Sequence, residues 1–333
     1  MASPETIHSL AVAHAIALSR YSSGEVRKIL ALLHRTEESV LERLRKADPD
    51  SAKGARLQEL LDDLQAIQKE GWALIEARLN GSVDELAAAE AEFARRLVGA
   101  GQEVRATLGP TPSPAQLIAA VRARPFQGRL LSEWLQHQDE TVAARVRDTV
   151  RQGFVEGRPT ADIVRELTGT RAAEYKDGVL AGSRRGVETL VRTSLTHTAN
   201  VAAQTTYGGL GVERYQYVAT LDQATTILCG SLHGQTFPVG SGPMPPRHPG
   251  CRSTTIPVVG AIKGIKQLEL PSYEAWLRRQ SRAVQEDVLG VTKARLFRDG
   301  KLPLTRFVDR RERVLSLSEL RRADAGAFEA AGL

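Results

Sequence analysis

Both cysteines of the chain and two of its seven histidines lie in one 23-residue window, as Cys229, His233, His248 and Cys251. The window reads Cys-x3-His, fourteen intervening residues, then His-x2-Cys. Zinc prefers four nitrogen or sulfur ligands in a tetrahedron, often from two short-spaced pairs. The glycines and prolines between the pairs permit the chain reversals that would bring them together. The spacing therefore predicts a metal site, zinc in particular, formed by these four side chains.

The same window has two other interpretations. Cys229 could be a small buried apolar residue, with His233 a loop residue hydrogen-bonded to the backbone. Alternatively, Cys229 or Cys251 could act as a thiol nucleophile, with His248 as the base and Asp222 as the orienting acid. In the metal interpretation, Asp222 would instead accept the second N–H of a histidine ligand. We see no phosphate loop or paired-carboxylate signature that would strengthen an enzymatic function, and we expect a protein that is not an enzyme.

The charge of the chain is unevenly distributed. The net charge of +6 divides into −2 for residues 1–170, +3 for residues 171–262 and +5 for residues 263–333. A basic C-terminal half predicts an acidic partner, with DNA as a candidate, although a solvated mixed-charge surface would have the same composition. The candidate DNA contacts are Arg278, Arg279, Arg282, Arg310, Arg311 and Arg313.

The sequence does not predict a membrane protein. No apolar run approaches the ~20 residues that a membrane-spanning helix needs. The N-terminal residues lack the basic region and apolar core of a signal peptide, so we expect folding in a cytosol. In that compartment the two cysteines are expected to be thiols or metal ligands rather than a disulfide.

The N-terminal half has the periodicity of helices. Val26, Ile29, Leu30 and Leu33 follow the i, i+3, i+4, i+7 spacing of one helical face. The pairs Ser22/Glu25 and Ser82/Glu85 have capping-box spacing and predict that new helices begin there. A proline-rich stretch at 109–114 predicts a linker. This half is expected to form an antiparallel helical hairpin or bundle.

The pattern changes after residue 211. Residues 213–220 and 254–259 are typical of strands, and Pro257 indicates an edge strand. They flank a Gly- and Pro-rich segment, 222–252, that we expect to be a loop held by its Cys and His residues. Short helices follow, with Ser272 and the Ser316/Glu319 pair as caps.

The predicted fold is mostly α with a small α+β module, in which a central helix supports a short antiparallel strand pair. We divide the chain into an N-terminal helical region (1–108), a linker with a second helical region (109–170), an α+β core (171–262) and a basic C-terminal helical extension (263–333).

Residues 215–238 and 245–253 together resemble the core motif of the phage Mu F-like head morphogenesis family. That motif has an aromatic strand, an Asp followed by a Thr, a Cys or His, an Asp- or His-Gly, and a Pro-x-His-x-x-Cys-Arg ending. An Arg-Thr pair on the preceding helix also matches, and residues 273–300 resemble the C-terminal extension of some members. The matching motif residues are Arg192, Thr193, Asp222, Thr225, Gly234 and Arg252.

The resemblance implies a minor head protein of a tailed bacteriophage. Such a protein is incorporated with the portal during procapsid assembly, lies inside the capsid or near the portal, and contacts DNA in some members. Its partners would be portal, head and scaffold proteins, with which it would assemble in the host cytoplasm. The family also exchanges Cys for His at the position of Cys229, and Asp for His at that of His233, which keeps metal-ligand types at both.

Two other functions remain open: a cysteine-dependent hydrolase, and a zinc-stabilised DNA-binding module outside the capsid. In the head-protein interpretation, the N-terminal helices would bind the portal or head shell through Leu30, Leu33, Leu57 and Leu61. Those leucines could equally form the core of the bundle.

Overall fold

The computed structural model describes residues 4–47, 55–100, 109–258, 272–309 and 313–333. Helices dominate, with one small sheet, which confirms the predicted fold class of a mostly α protein with a small α+β module. The helices are α1 (Pro4–Arg45), α2 (Ala55–Ala100), α3 (Pro114–Ala123), α4 (Leu131–Val155), α5 (Thr160–Thr168), α6 (Val179–Gly209), α7 (Ile227–Leu232), α8 (Tyr273–Arg278), α9 (Arg282–Leu289), α10 (Val291–Arg298), α11 (Leu317–Ala323) and α12 (Ala325–Ala330). The strands are β1 (Arg214–Val218), β2 (Thr236–Pro238) and β3 (Thr254–Pro257).

The chain forms two compact units that each combine distant stretches of sequence. The first, the sheet unit, contains residues 1–17, 87–121 and 196–333. The second, the helical unit, contains residues 18–86 and 122–195. Each unit therefore draws on several of the four segments into which we divided the sequence.

Helices α1 and α2 are each continuous, so the two predicted internal helix starts at Ser22 and Ser82 were wrong. Glu25 is 2% exposed and accepts hydrogen bonds from Arg78 Nε at 2.9 Å and from Ser82 Oγ at 2.8 Å. The residues that resemble caps in the sequence thus bind across the two helices instead. Because the Glu25 carboxylate has hydrogen-bond partners within the helical unit, its burial is tolerated. The backbone hydrogen bonds of α1 and α2 continue past these residues without a break.

Four helices pack around a shared core in the helical unit. Side chains from α1, α2, α4 and α6 surround one small internal cavity, among them Leu33, Trp72, Val146 and Leu180. At its edge Glu37, 3% exposed, accepts a hydrogen bond from Arg184 Nε at 2.8 Å. The predicted N-terminal hairpin is therefore part of a larger helical bundle.

The leucines suggested as a partner surface do not share one environment. Leu33 and Leu61 are 1% and 4% exposed, so they belong to the core, which is the alternative interpretation that we gave for these leucines. Leu30 and Leu57 are half-buried. Leu74 on α2 is instead the most exposed leucine of the helical unit, at 61%.

The sheet of the sheet unit has three strands rather than the predicted pair. Its order is β2-β1-β3 and both pairings are antiparallel, with Tyr215 opposite Phe237 and Gln216 opposite Ile256. Strand β2 was missed because it is only three residues long and ends at Pro238. Strand β3, which ends at Pro257, lies at an edge, as its proline indicated.

The C-terminal helices pack against the α+β core. Ile227 of α7 joins a buried cluster that includes Tyr273, Phe297, Phe307 and Leu320. The Ser316/Glu319 capping box is present at α11, as predicted. Ser272 caps α8, as predicted. That helix ends at Arg278, and Ser281 caps a separate helix, α9. Within the described part of the chain, no helix has both the length and the hydrophobicity needed to cross a bilayer.

Candidate metal centre

The segment between β1 and β3 positions two sulfurs and one imidazole. Cys229 lies on α7, whose first turn is capped by the Thr226 hydroxyl. Cys251 lies just before β3, and its backbone N–H donates to the His248 carbonyl at 3.2 Å in a tight turn. The segment is not the irregular loop that we expected, because α7 and β2 form within it. These short elements fix the directions from which the three side chains approach.

Cys229, His248 and Cys251 form the Cys–His–Cys group. Their ligand atoms all lie within 4.8 Å of one another, so the group could bind a metal ion. The two Sγ atoms are 3.7 Å apart. Zinc–sulfur bonds of about 2.3 Å in a tetrahedron place two sulfurs about 3.8 Å apart. The sulfur separation therefore fits two ligands of one tetrahedral ion, and both thiols are free of a disulfide.

Buried donors surround both sulfurs. The Tyr217 hydroxyl lies 3.2 Å from Cys229 Sγ, and the Ser253 side chain also hydrogen-bonds Cys229. Backbone N–H groups of Arg247 and Ser253 support Cys251. Residues around metal-bound cysteines commonly donate hydrogen bonds to the sulfurs and so stabilise the thiolates.

Cys229 and Cys251 are each 1% exposed, and their Sγ atoms contact each other. The hydrogen bond from Cys229, opposed by burial and helped by His248, lowers the pKa of Cys251. The pKa of Cys229 is raised, first by its hydrogen bond with Cys251 and second by burial. The contact with Cys251 also raises the pKa of His248. The contact between the two thiols thus favours ionisation of Cys251 over that of Cys229.

The structure does not bring His233 into the Cys–His–Cys group. It follows α7 directly, and its Nδ1 accepts a hydrogen bond from the Ala219 N–H at 3.0 Å. That bond links the end of β1 to the end of α7. Three of the four side chains that the spacing suggested as ligands therefore converge, and the fourth is placed elsewhere.

Asp222 pairs with Arg252 rather than with a histidine ligand, contrary to our expectation. Two hydrogen bonds of 2.7 Å join the carboxylate to the guanidinium. Burial raises the pKa of Asp222, but hydrogen bonds and charge from Arg252 outweigh it, so the net shift is downward. Thr225 adds a hydroxyl contact, and Tyr273 donates to the Asp222 carbonyl at 3.1 Å. These motif residues connect the segment after β1 to the segment before β3.

A largely buried polar stripe on α6 contacts the segment that carries Cys251, and the sequence analysis did not identify it. Thr196 Oγ1 donates to the Cys251 carbonyl at 2.9 Å, and Asn200 Nδ2 to the Ser253 carbonyl at 3.4 Å. Gln204 Nε2 contacts the Thr255 hydroxyl at 3.2 Å. Thr196, Asn200 and Gln204 are spaced four residues apart, which places them on one face of the helix. That spacing could have indicated the stripe, but our sequence analysis considered only the apolar residues of this helix.

The remaining motif residues have local structural contacts. Arg192 pairs with Glu188 and reaches Ser23 Oγ at 3.3 Å within the helical unit. Thr193 is buried, and its hydroxyl donates to the Thr189 carbonyl. Gly234 has a φ of +80°, which favours glycine, in the turn that leads into β2.

Most of the described candidate DNA contacts are engaged by acidic side chains. Arg278 pairs with Glu274, and its guanidinium lies 4.1 Å from the centre of the Phe297 ring. Arg282 pairs with Glu286, and Arg313 with Glu319. Arg279 Nε donates to the Ala275 carbonyl at 3.2 Å. Arg310 and Arg311 lie outside the described residues.

Residues 144–256 match the family model of Phage Mu protein F like protein. The chain contains a Mu F-like region. Neither the curated proteins nor the solved structures include a significant match to the chain. The Mu F-like region confirms the resemblance read from the motif residues. It includes α6, strands β1 and β2, all of β3 except Pro257, and all three members of the Cys–His–Cys group.

Proposed function

We propose that this chain is a minor head protein of a tailed bacteriophage, incorporated with the portal during procapsid assembly. The observation that carries the proposal is the Mu F-like match, which covers helix α6, nearly all of the sheet and the Cys–His–Cys group. The protein would lie in the virion, and its partners would be the portal and other head proteins. Mass spectrometry of purified procapsids and virions tests this placement directly.

The helical unit supplies a candidate docking face for the head shell or portal. Leu74 is 61% exposed, and the neighbouring Ala73 is also exposed. Exposed apolar patches often mark the place where another protein binds. We propose that this stretch of α2 contributes to docking.

Leu74→Glu should therefore reduce incorporation into procapsids by about tenfold, since losing one well-buried interface contact costs at least ~1.4 kcal/mol. Because the site is exposed in the protein alone, the variant should melt within a degree or two of the wild type. Ala161→Glu adds the same charge at an exposed position of α5, away from this stretch, and serves as the control. Incorporation of the Leu74 variant at the wild-type level, measured by quantitative mass spectrometry, would remove this face from the proposal.

We further propose that the Cys–His–Cys group binds zinc and that the ion stabilises the sheet unit. The sulfur separation, the soft donor set and the buried hydrogen-bond donors around both sulfurs support this metal. Nucleophilic catalysis by either cysteine fits less well than metal binding, because both residues are 1% exposed and a bulky substrate would not reach their sulfurs. We therefore propose that the protein is not a cysteine-dependent hydrolase.

Contact with DNA is a further part of the proposal, supported by the net charge of +6 and its C-terminal excess. We expect weak, sequence-independent binding that falls steeply with salt, because counterion release drives it. Arg279→Ala should flatten the slope of log K against log salt by about 0.9 if that residue neutralises one phosphate. Arg282→Ala, in which the lost charge is paired with Glu286, should change the slope less. Fluorescence anisotropy with a labelled duplex gives both slopes, and binding that does not respond to salt would contradict DNA contact.

A further inference from the structure

The placement of His233 changes what kind of metal site this is. A closed structural zinc site has four protein ligands, whereas a site with three keeps a position for another ligand. We infer that the Cys–His–Cys group binds its ion through three protein ligands only, with the fourth position filled by a small anion or other ligand from solution. This inference rests on the metal binding proposed above.

Geometry separates His233 from the group. Its Nδ1 already accepts the Ala219 N–H at 3.0 Å, so the lone pair on that nitrogen is used. Ligation through Nδ1 would leave the Ala219 amide without this acceptor, which is costly where the amide is shielded from water. Among the described His, Cys, Asp and Glu residues, the three of the Cys–His–Cys group are the ones whose ligand atoms converge.

The oxygens nearest to the sulfurs act as hydrogen-bond partners. Tyr217 and Ser253 both contact Cys229, and both are buried, at 0% and 4% exposure. Donation from these hydroxyls to the sulfur is compatible with metal binding by that sulfur. The carboxylate nearest in sequence, Asp222, is occupied by both Arg252 nitrogens. His248 is half-buried, which leaves the group a side that solvent can approach.

The test uses the full chain loaded with Co²⁺, whose visible absorption reports ligand type and coordination number, and azide as the external anion. We expect azide to change the spectrum of the wild type. His233→Ala should keep one metal per chain, an affinity within about threefold of wild type and the same azide response. His248→Ala, the matched control, should lose at least tenfold in affinity. His233→Asn retains an oxygen acceptor for the Ala219 amide and replaces the alanine variant if that one does not fold.

Two results would overturn the inference while leaving the metal in place. One is a wild-type spectrum that does not respond to azide, which would indicate a fourth ligand from the protein, such as His233 or Tyr217. The other is a loss of affinity in both His233 variants that equals the loss in His248→Ala. If the wild-type protein binds no metal at all, the proposed zinc site itself fails, so the two failures are distinguishable.

Discussion

Replacing Cys251 with serine should remove the metal from the protein and lower its stability on the order of 4 kcal/mol. That figure is the linkage free energy for an ion present at about a thousand times its dissociation constant. The loss should be centred on the segment from α7 to β3, because the ion would connect Cys229 and Cys251 across it. The apolar cluster around Tyr273 and Phe297 would remain, so we expect a less stable fold rather than an unfolded chain.

Elemental analysis and thermal melting with and without a chelator measure this effect. The wild type should contain close to one zinc per chain and melt at a lower temperature after chelation. Cys251→Ser should contain almost none, and its melting temperature should not change with chelator. This comparison separates loss of the ion from the small cost of exchanging sulfur for oxygen at a buried position. A metal-free wild-type protein that melts at its usual temperature would refute the zinc proposal.

Removing residues 1–100 should abolish cooperative folding of the sheet unit. Ala94 and Val98 of α2 belong to the same buried cluster as Tyr207, and Leu97 packs with Ile256 of β3. Each fully buried aliphatic side chain contributes about 1.5–3 kcal/mol, and the truncation would also expose their partners. The sum is comparable with the ~5–15 kcal/mol by which a domain is stable.

Circular dichroism melting and limited proteolysis of the truncated chain test this expectation. A point variant gives a graded version: Leu97→Ala, at 0% exposure, should cost about 2–5 kcal/mol. Leu74→Ala on the same helix, at 61% exposure, should cost less than about 1 kcal/mol and is the matched control. A truncated chain that melts cooperatively near the wild-type temperature would show that α2 is dispensable. Otherwise, docking has to be studied with surface variants, because the deletion would remove the fold as well.

Local rules in the sequence determined several features. Helical periodicity and the change to strand formers after residue 211 predicted a mostly α chain with a small sheet, because such patterns depend on which face of each element is buried. The Ser316/Glu319 pair predicted the start of α11, since a capping box is completed within one turn. The short motif around Cys229 and Cys251 was sufficient by itself to indicate the Mu F-like region.

Only the tertiary structure decided the partners of the polar groups. Ser82 and Glu25 resemble helix caps in the sequence. In the structure Ser82 of α2 instead donates a hydrogen bond to Glu25 of α1, and both helices continue past these residues. Arg252 hydrogen-bonds Asp222, and the Ala219 N–H donates to His233, because folding brings these groups together from both ends of the segment. A hydrogen bond between residues far apart in sequence leaves no periodic signal, so spacing alone could suggest four metal ligands where the fold brings three together.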